Sequence, residues 1–183
     1  MKNKLWYDME IESVYLLGNF GVGFDKDFRP AAHDSLVNDG TPYIDKMPAA
    51  LSDGDFTEQG LPFFCGHIKV SKEIELFESE INSANIELAR LCSTVSWFTV
   101  NGKKLENIYW APYNADLTGL LHAGKNTIEL DIVGNFRNML GPHHTDGENY
   151  CVGPGSFMHE SPIFGHGNWY DGYCFVKYGL FLK

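Results

Sequence analysis

The sequence predicts an all-β fold, an antiparallel β-sandwich, and three observations predict it. Apolar residues recur with a period of two at Ile68, Val70, Ile74 and Leu76, and again at Ile128, Leu130 and Ile132. Lys69, Glu73, Glu75, Glu129 and Asp131 fall out of phase. That alternation lays one face of an extended strand in a core and the other in water. Second, Asn101-Gly102 supplies the two positive-φ positions that a two-residue hairpin turn demands. Third, the 19 glycines are spread among polar clusters, which fits many turns rather than long helices.

The elements follow in order. Ile11 to Leu17 reads as a strand, with Ile11, Tyr15 and Leu17 on one face and Glu12 on the other. Gly18 to Gly60 alternates aspartates (Asp25, Asp27, Asp34, Asp39, Asp45, Asp53, Asp55) with Gly and Pro. It reads as a long irregular connection with one short strand, and loops of that length often carry function. Regular pattern returns at Leu61. Ile86 and Leu88 flank Glu87, and Thr94 to Val100 is apolar on both parities, as in a strand covered on both faces. Within it, Trp97 and Phe98 read as core. Pro112 has no N–H for a ladder, so Trp110 to Tyr113 leaves the sheet or lies at its edge. Asp116 can cap a short turn through Leu121, and Gly124 can end it in the left-handed conformation. Gly134 to Gly172 is a second irregular region, and Gly172 to Leu182 reads as one closing strand. At 183 residues the chain suits one sandwich domain. Among sandwiches a jelly roll is expected, because it accommodates long loops at one end.

Composition excludes several function classes. A formal net charge of −10 with three arginines, Arg29, Arg90 and Arg137, argues against nucleic acid, which is held by neutralising phosphates. Anionic membrane surfaces are disfavoured for the same reason. The cysteines, Cys65, Cys92, Cys151 and Cys174, have no C-x-x-C spacing, so neither a zinc site nor a disulfide framework is expected. The N-terminal residues lack the apolar run of a signal peptide, and a reducing, cytoplasmic setting is favoured unless the chain was excised from a longer one.

The chemistry-bearing side chains concentrate between Gly134 and Gly172: Arg137, His143, His144, Asp146, Glu148, His159, Glu160, His166, Trp169 and Asp171. A carbohydrate site needs such a mixture, an aromatic face for the C–H side of a sugar ring and polar groups for its hydroxyls. Trp169 and Tyr170 would form the platform, and Arg137, His143, His144 and Asp171 the polar rim. The competing reading has the histidines bonding loop backbone and Arg137 paired with an acidic neighbour. No cofactor is expected. His143-His144 lacks metal-ligand spacing, and adjacent residues in a strand face opposite ways. Calcium bound by the aspartates from Asp25 to Asp55 is a minor structural alternative, without EF-hand spacing. Glu148 with Glu160, or Asp146 with Asp171, would serve hydrolysis only at separations of about 5–5.5 or 6.5–9.5 Å. No G-x-S-x-G nucleophile elbow occurs, and the glycines from Gly18 to Gly23 lack the Lys of a phosphate loop.

Several segments carry a resemblance: Val100-Asn101-Gly102-Lys103, Trp110-Ala111-Pro112-Tyr113, Asp116-Leu117-Thr118 and Gly124-Lys125-Asn126 before Thr127-Ile128-Glu129-Leu130. Leu17 to Val22, Leu61 to Gly66 and Arg137 to His144 add to it. Together they resemble the galactose-binding-like jelly-roll domains attached to glycoside hydrolases, of the family 2 and rhamnosidase-like kinds. The resemblance implies a non-catalytic, carbohydrate-associated module that binds a sugar weakly or buttresses a neighbouring catalytic domain. Two alternatives stand beside it, a purely structural interaction domain and a small glycan-active enzyme using loop carboxylates.

Overall fold

The computed structural model describes residues 14–81, 84–146, 157 and 169–183. Among these residues thirteen strands and one α-helical turn, with three short 3-10 turns between them, follow one another: β1 (Gly21–Phe24), β2 (Arg29–Pro30), β3 (Ser35–Asn38), β4 (Pro42–Asp45), β5 (Gly54–Asp55), β6 (His67–Leu76), β7 (Asn85–Cys92), β8 (Val95–Val100), β9 (Lys103–Ile108), β10 (Asn114–Asp116), β11 (Gly124–Val133), α1 (Arg137–Leu140), β12 (Tyr173–Val176) and β13 (Gly179–Leu182). They form four antiparallel sheets, in the orders β10-β7-β13-β5, β6-β11-β8-β9, β12-β3-β2 and β1-β4. No helix among the described residues is long and apolar enough to cross a membrane.

The two four-stranded sheets make an all-β sandwich. Leu88 and Leu91 of β7 meet Phe98, Leu130 and Ile132 of β8 and β11, and Phe56, Leu61 and Tyr178 complete the buried cluster. Ile68, Val70 and Ile128 pack against it from β6 and β11. Each fully buried aliphatic contributes roughly 1.5–3 kcal/mol relative to exposure. The predicted parity therefore holds for Ile128, Leu130 and Ile132. On the opposite face Asp131 is buried too, its carboxylate 2.7 Å from His67 Nε2. Trp97 lies on that outward face, not in the core. Lys104 Nζ stands 3.8 Å from its ring centroid, and the His67 ring is 5.5 Å away. Phe98 is core as expected.

The turn motifs are explained by hydrogen bonds. Asn101 and Gly102 have φ of 49° and 82°, the positive pair of the predicted hairpin. Asn126 Nδ2 donates to the carbonyls of His122 (2.7 Å) and Gly124 (3.0 Å). Its Oδ1 accepts from His122 N (3.0 Å) and Asn101 Nδ2 (2.8 Å). Asn101 also takes Thr127 N on its Oδ1, at 2.9 Å. One buried amide thus ties the β8–β9 hairpin to the start of β11. Asp116 Oδ1 accepts from Thr118 N at 2.8 Å, which sets the intervening turn.

Three expectations need correction. The described half of the first expected strand, Val14 to Leu17, is in no strand and is exposed. Gly18 to Gly60 holds five short strands rather than one. They run two to four residues, too short to display alternation, and β3 is buried throughout. The closing strand is two strands in different sheets. β12 pairs with β3, whereas β13 pairs with β7 and β5. The chain changes sheet at Tyr178, whose N–H donates to Asp55 Oδ1 (3.1 Å) and whose carbonyl accepts from Phe56 N (2.7 Å). Gly179 permits the crossing, since a Cβ there would lie 2.2 Å from the Gly54 carbonyl oxygen.

Beside the sandwich, β12-β3-β2 and the β1-β4 ribbon enclose an aromatic cluster of Phe24, Phe28, Phe63, Tyr173 and Phe175, with Phe63 and Phe175 centroids 5.1 Å apart. Asn138 of α1 pairs with Val176 through both ends of its amide, Nδ2 to the carbonyl at 2.8 Å and Oδ1 from the N–H at 2.9 Å. That pairing fixes α1 against β12 and so aims Arg137.

Candidate functional site

α1 is a ridge between two cavities. The first, of about 720 Å³, is lined by Arg137 with Arg90, Lys177, Asp34, Tyr113 and Phe136. Arg90 comes from the end of β7 and Lys177 from the β12–β13 crossing. Asp34 receives both, with its Oδ1 2.5 Å from Lys177 Nζ and its Oδ2 against Arg90 Nη1. Burial pushes the Asp34 carboxyl up, but the hydrogen bonds and charges of Lys177 and Arg90 outweigh it and hold the group below its ordinary value. Asp34 is therefore an anchored anion at neutral pH.

His33 and Asp34 take left-handed φ values of 54° and 56°. Neither is glycine, and such a conformation costs on the order of 1–2 kcal/mol per residue. It directs Asp34 to its two cations and His33 Nδ1 to Asp146 Oδ1, at 3.0 Å. Asp146 is fully buried behind the cavity wall. Arg137 Nη2 donates to the Thr145 carbonyl at 2.8 Å. Its Nη1 is buried without a hydrogen-bond partner among the described residues. Burial pulls the Arg137 guanidinium down from its usual value, and the neighbouring Cys174 and Asp146 act against that.

The second cavity, of about 780 Å³, is mostly apolar and lies on the other side of α1. Val14 to Leu17, Tyr43, Ile44 and His143 are among its lining residues.

The structure distributes the sequence-predicted site residues as follows. Arg137 lines the charged cavity and His143 the apolar one. His143 Nε2 sits 3.0 Å from the Asn138 carbonyl, and His144 Nδ1 lies 3.1 and 3.0 Å from the carbonyls of Tyr170 and Gly172. Both histidines therefore bond loop backbone. The Trp169 ring stacks on His144 with centroids 5.0 Å apart, and Tyr170 Oη accepts from Ala32 N at 3.4 Å. Asp171 is exposed. Trp169, Tyr170 and Asp171 line neither cavity. Glu148, Cys151, His159, Glu160 and His166 lie outside the described residues. Arg90, Lys177, His33 and Asp34 escaped the sequence reading. The available signal was that two of only three arginines would need a common explanation in so acidic a chain.

Metal chemistry has little to work with among the described residues, where no group of three or more His, Cys, Asp or Glu is placed to hold an ion. Two of the loop aspartates accept backbone hydrogen bonds. Asp25 Oδ1 accepts from Thr41 N and Asp53 Oδ1 from Leu182 N, both at 2.7 Å.

His143 carries a pH prediction. Burial lowers its pKa, and the charges of Arg137 and His144 push the same way against its bond to Asn138. A histidine kept neutral in the fold binds its proton more readily unfolded. Its contribution to stability is thus complete above the ordinary histidine pKa of about 6.5 and is lost as pH falls through the lowered value. Urea midpoints measured from pH 7.5 to 5 are expected to drop, and the drop is expected to shrink in His143→Phe. An equal drop in the variant would remove His143 as the cause.

No family model matches the chain, and no curated protein matches it. Two solved structures similar to it are glycoside hydrolases. One is a rhamnosidase from Novosphingobium sp. PP1Y, 22% identical over 74% of this chain with a TM-score of 0.39. The other is a β-D-glucuronidase from Dictyoglomus thermophilum, 16% identical over 65% of this chain with a TM-score of 0.35. The chain spans 12% of the first enzyme's length and 20% of the second's.

Proposed function

We propose that this chain is a non-catalytic, carbohydrate-associated β-sandwich module, of the galactose-binding-like jelly-roll kind, that accompanies a glycoside hydrolase domain. The observation that supports saccharide binding is the cavity beside α1. It joins hydrogen-bonding cations and a carboxylate to the rings of Tyr113 and Phe136, the two kinds of surface a sugar needs. Its Asp34 carboxylate is committed to Arg90 and Lys177, so it anchors ligand-facing cations rather than serving as a general acid. Of the six residues predicted from the sequence, Arg137 is the one this cavity uses. His143, His144, Trp169 and Tyr170 make contacts within the loops around it, and Asp171 is exposed.

Buttressing a neighbouring domain has its own observation. Val14, Leu16, Leu17, Tyr43, Ile44 and Met47 are all exposed, and most of them surround the apolar cavity. Contiguous apolar surface of this sort marks interaction sites in soluble proteins. The two roles use opposite sides of α1 and are compatible.

Isothermal titration calorimetry against a panel of neutral and acidic oligosaccharides tests the saccharide role. Saturable binding is expected, with dissociation constants of about 0.1–1 mM, equivalent to roughly −5.5 to −4.1 kcal/mol. Arg137→Ala is expected to weaken it by about tenfold. Absence of binding across the whole panel would leave only the interaction role.

A further inference from the structure

The charges around the first cavity are unevenly placed for so acidic a molecule. The chain has a formal net charge of −10 and only three arginines. Two of those arginines, Arg90 and Arg137, line this one cavity together with Lys177. Against these three cations the described lining offers a single carboxylate, Asp34. Asp34 is shared between Arg90 and Lys177, which holds both heads in place and leaves an excess of positive charge. Asp146, buried and 3.0 Å from His33 Nδ1, offsets part of the Arg137 charge without lining the cavity. The third arginine, Arg29, lies elsewhere, 3.5 Å from Asp39.

Two costs converge on the same spot. Consecutive non-glycine residues, His33 and Asp34, are held in the left-handed region, and strain of this kind clusters where a surface is shaped for a ligand. Arg137 lines the cavity while its Nη1 is buried with no hydrogen-bond partner among the described residues, so no direct contact there compensates its charge. A planar carboxylate matches a guanidinium fork better than a hydroxyl does, because it can accept two parallel hydrogen bonds and carries the opposite charge. Phe136, exposed at the cavity edge beside Tyr113, offers an apolar face for a ring.

We infer that the cavity lined by Arg90, Arg137 and Lys177 selects an acidic saccharide, its carboxylate held by Arg137 and the flanking cations and its ring against Phe136 and Tyr113. This rests on the proposed saccharide-binding role and names the ligand class for it.

The test compares trigalacturonate with its neutral counterpart galactotriose by calorimetry, on the whole chain. Trigalacturonate is expected to bind at least about tenfold tighter, the scale of one well-placed charged hydrogen bond. Its affinity is expected to fall several-fold between 50 and 300 mM salt, since an exposed charge contact is screened. Arg137→Gln and Lys177→Gln are each expected to reduce it about fivefold or more, whereas Arg29→Gln should leave it unchanged. Lys177→Gln, at the rim, keeps the test valid should Arg137→Gln fail to fold. Sulfated galactotriose separates shape from charge. Binding as tight as trigalacturonate would overturn selection for a carboxylate. Equal affinity for neutral and acidic trisaccharides would overturn the inference while leaving the saccharide role standing. Failure of every saccharide to bind would remove both.

Discussion

Asn126→Ala is expected to destabilise the fold by about 3–5 kcal/mol. Four hydrogen bonds converge on this one buried side chain, two donated to the carbonyls of His122 and Gly124 and two accepted from His122 N and Asn101 Nδ2. Alanine removes all of them and leaves the two carbonyls and His122 N without this partner, around a residue that is itself 1% exposed. Each such group costs on the order of 1–3 kcal/mol when it stays dry. The loss also loosens Asn101, which otherwise bonds Asn126, the Leu120 carbonyl and Thr127 N and so sets the register of β8, β9 and β11. Urea unfolding should show a lower midpoint with little change in slope, the sign of altered stability rather than altered compactness. A change below about 1 kcal/mol would mean that the turn does not depend on this amide.

Asp55 is the second such point, and its substitutions should separate hydrogen bonding from charge. Its Oδ1 accepts from Thr57 N (3.0 Å), Thr57 Oγ1 (2.5 Å) and Tyr178 N (3.1 Å). Those bonds join β5 and the turn that follows it to the crossing between β12 and β13. Oδ2 is buried with no partner among the described residues. Asp55→Ala strips three donors of their acceptor and is expected to cost about 3–5 kcal/mol. Asp55→Asn keeps an oxygen in the Oδ1 position and removes a buried charge whose second oxygen is unsatisfied. Its cost is expected to stay below about 2 kcal/mol. The two variants, compared by thermal and urea unfolding, should therefore differ clearly. Equal losses would show that the negative charge, not the acceptor geometry, holds the crossing.

Long, half-exposed strands were legible in the sequence. β6 and β11 run ten residues each, so alternation of Ile and Val with Lys and Glu had room to appear. The Asn101-Gly102 hairpin was legible because few residues accept positive φ. Short strands were not. β2 and β5 have two residues each, and β3 is enclosed on both sides, so no alternation exists to be read. The break between β12 and β13 was hidden by apolar residues on both parities. Its cause is tertiary, the bonding of Tyr178 to Asp55 and Phe56 more than a hundred residues earlier.

The site was legible in part for a similar reason. Arg137 stood out as a lone cation among histidines and acids. Its companions Arg90 and Lys177 sit in or beside regular strands, and nothing local distinguishes them from solvated charges. Only the packing of β7, α1 and β12 brings them to one cavity. The backbone carbonyls that His143 and His144 bond could not be read from the sequence, because they belong to residues brought near by the loop's folding.

A saccharide held in the proposed cavity beside α1 would leave its footprint on the backbone amides around that cavity. Amide chemical-shift mapping during titration with trigalacturonate tests it most directly. The largest shifts are expected on Arg90 to Ser93, Asn135 to Leu140 and Lys177, while Val14 to Leu17 and Tyr43 on the apolar side stay still. Shifts confined to Trp169 to Asp171, or to the apolar side, would contradict it.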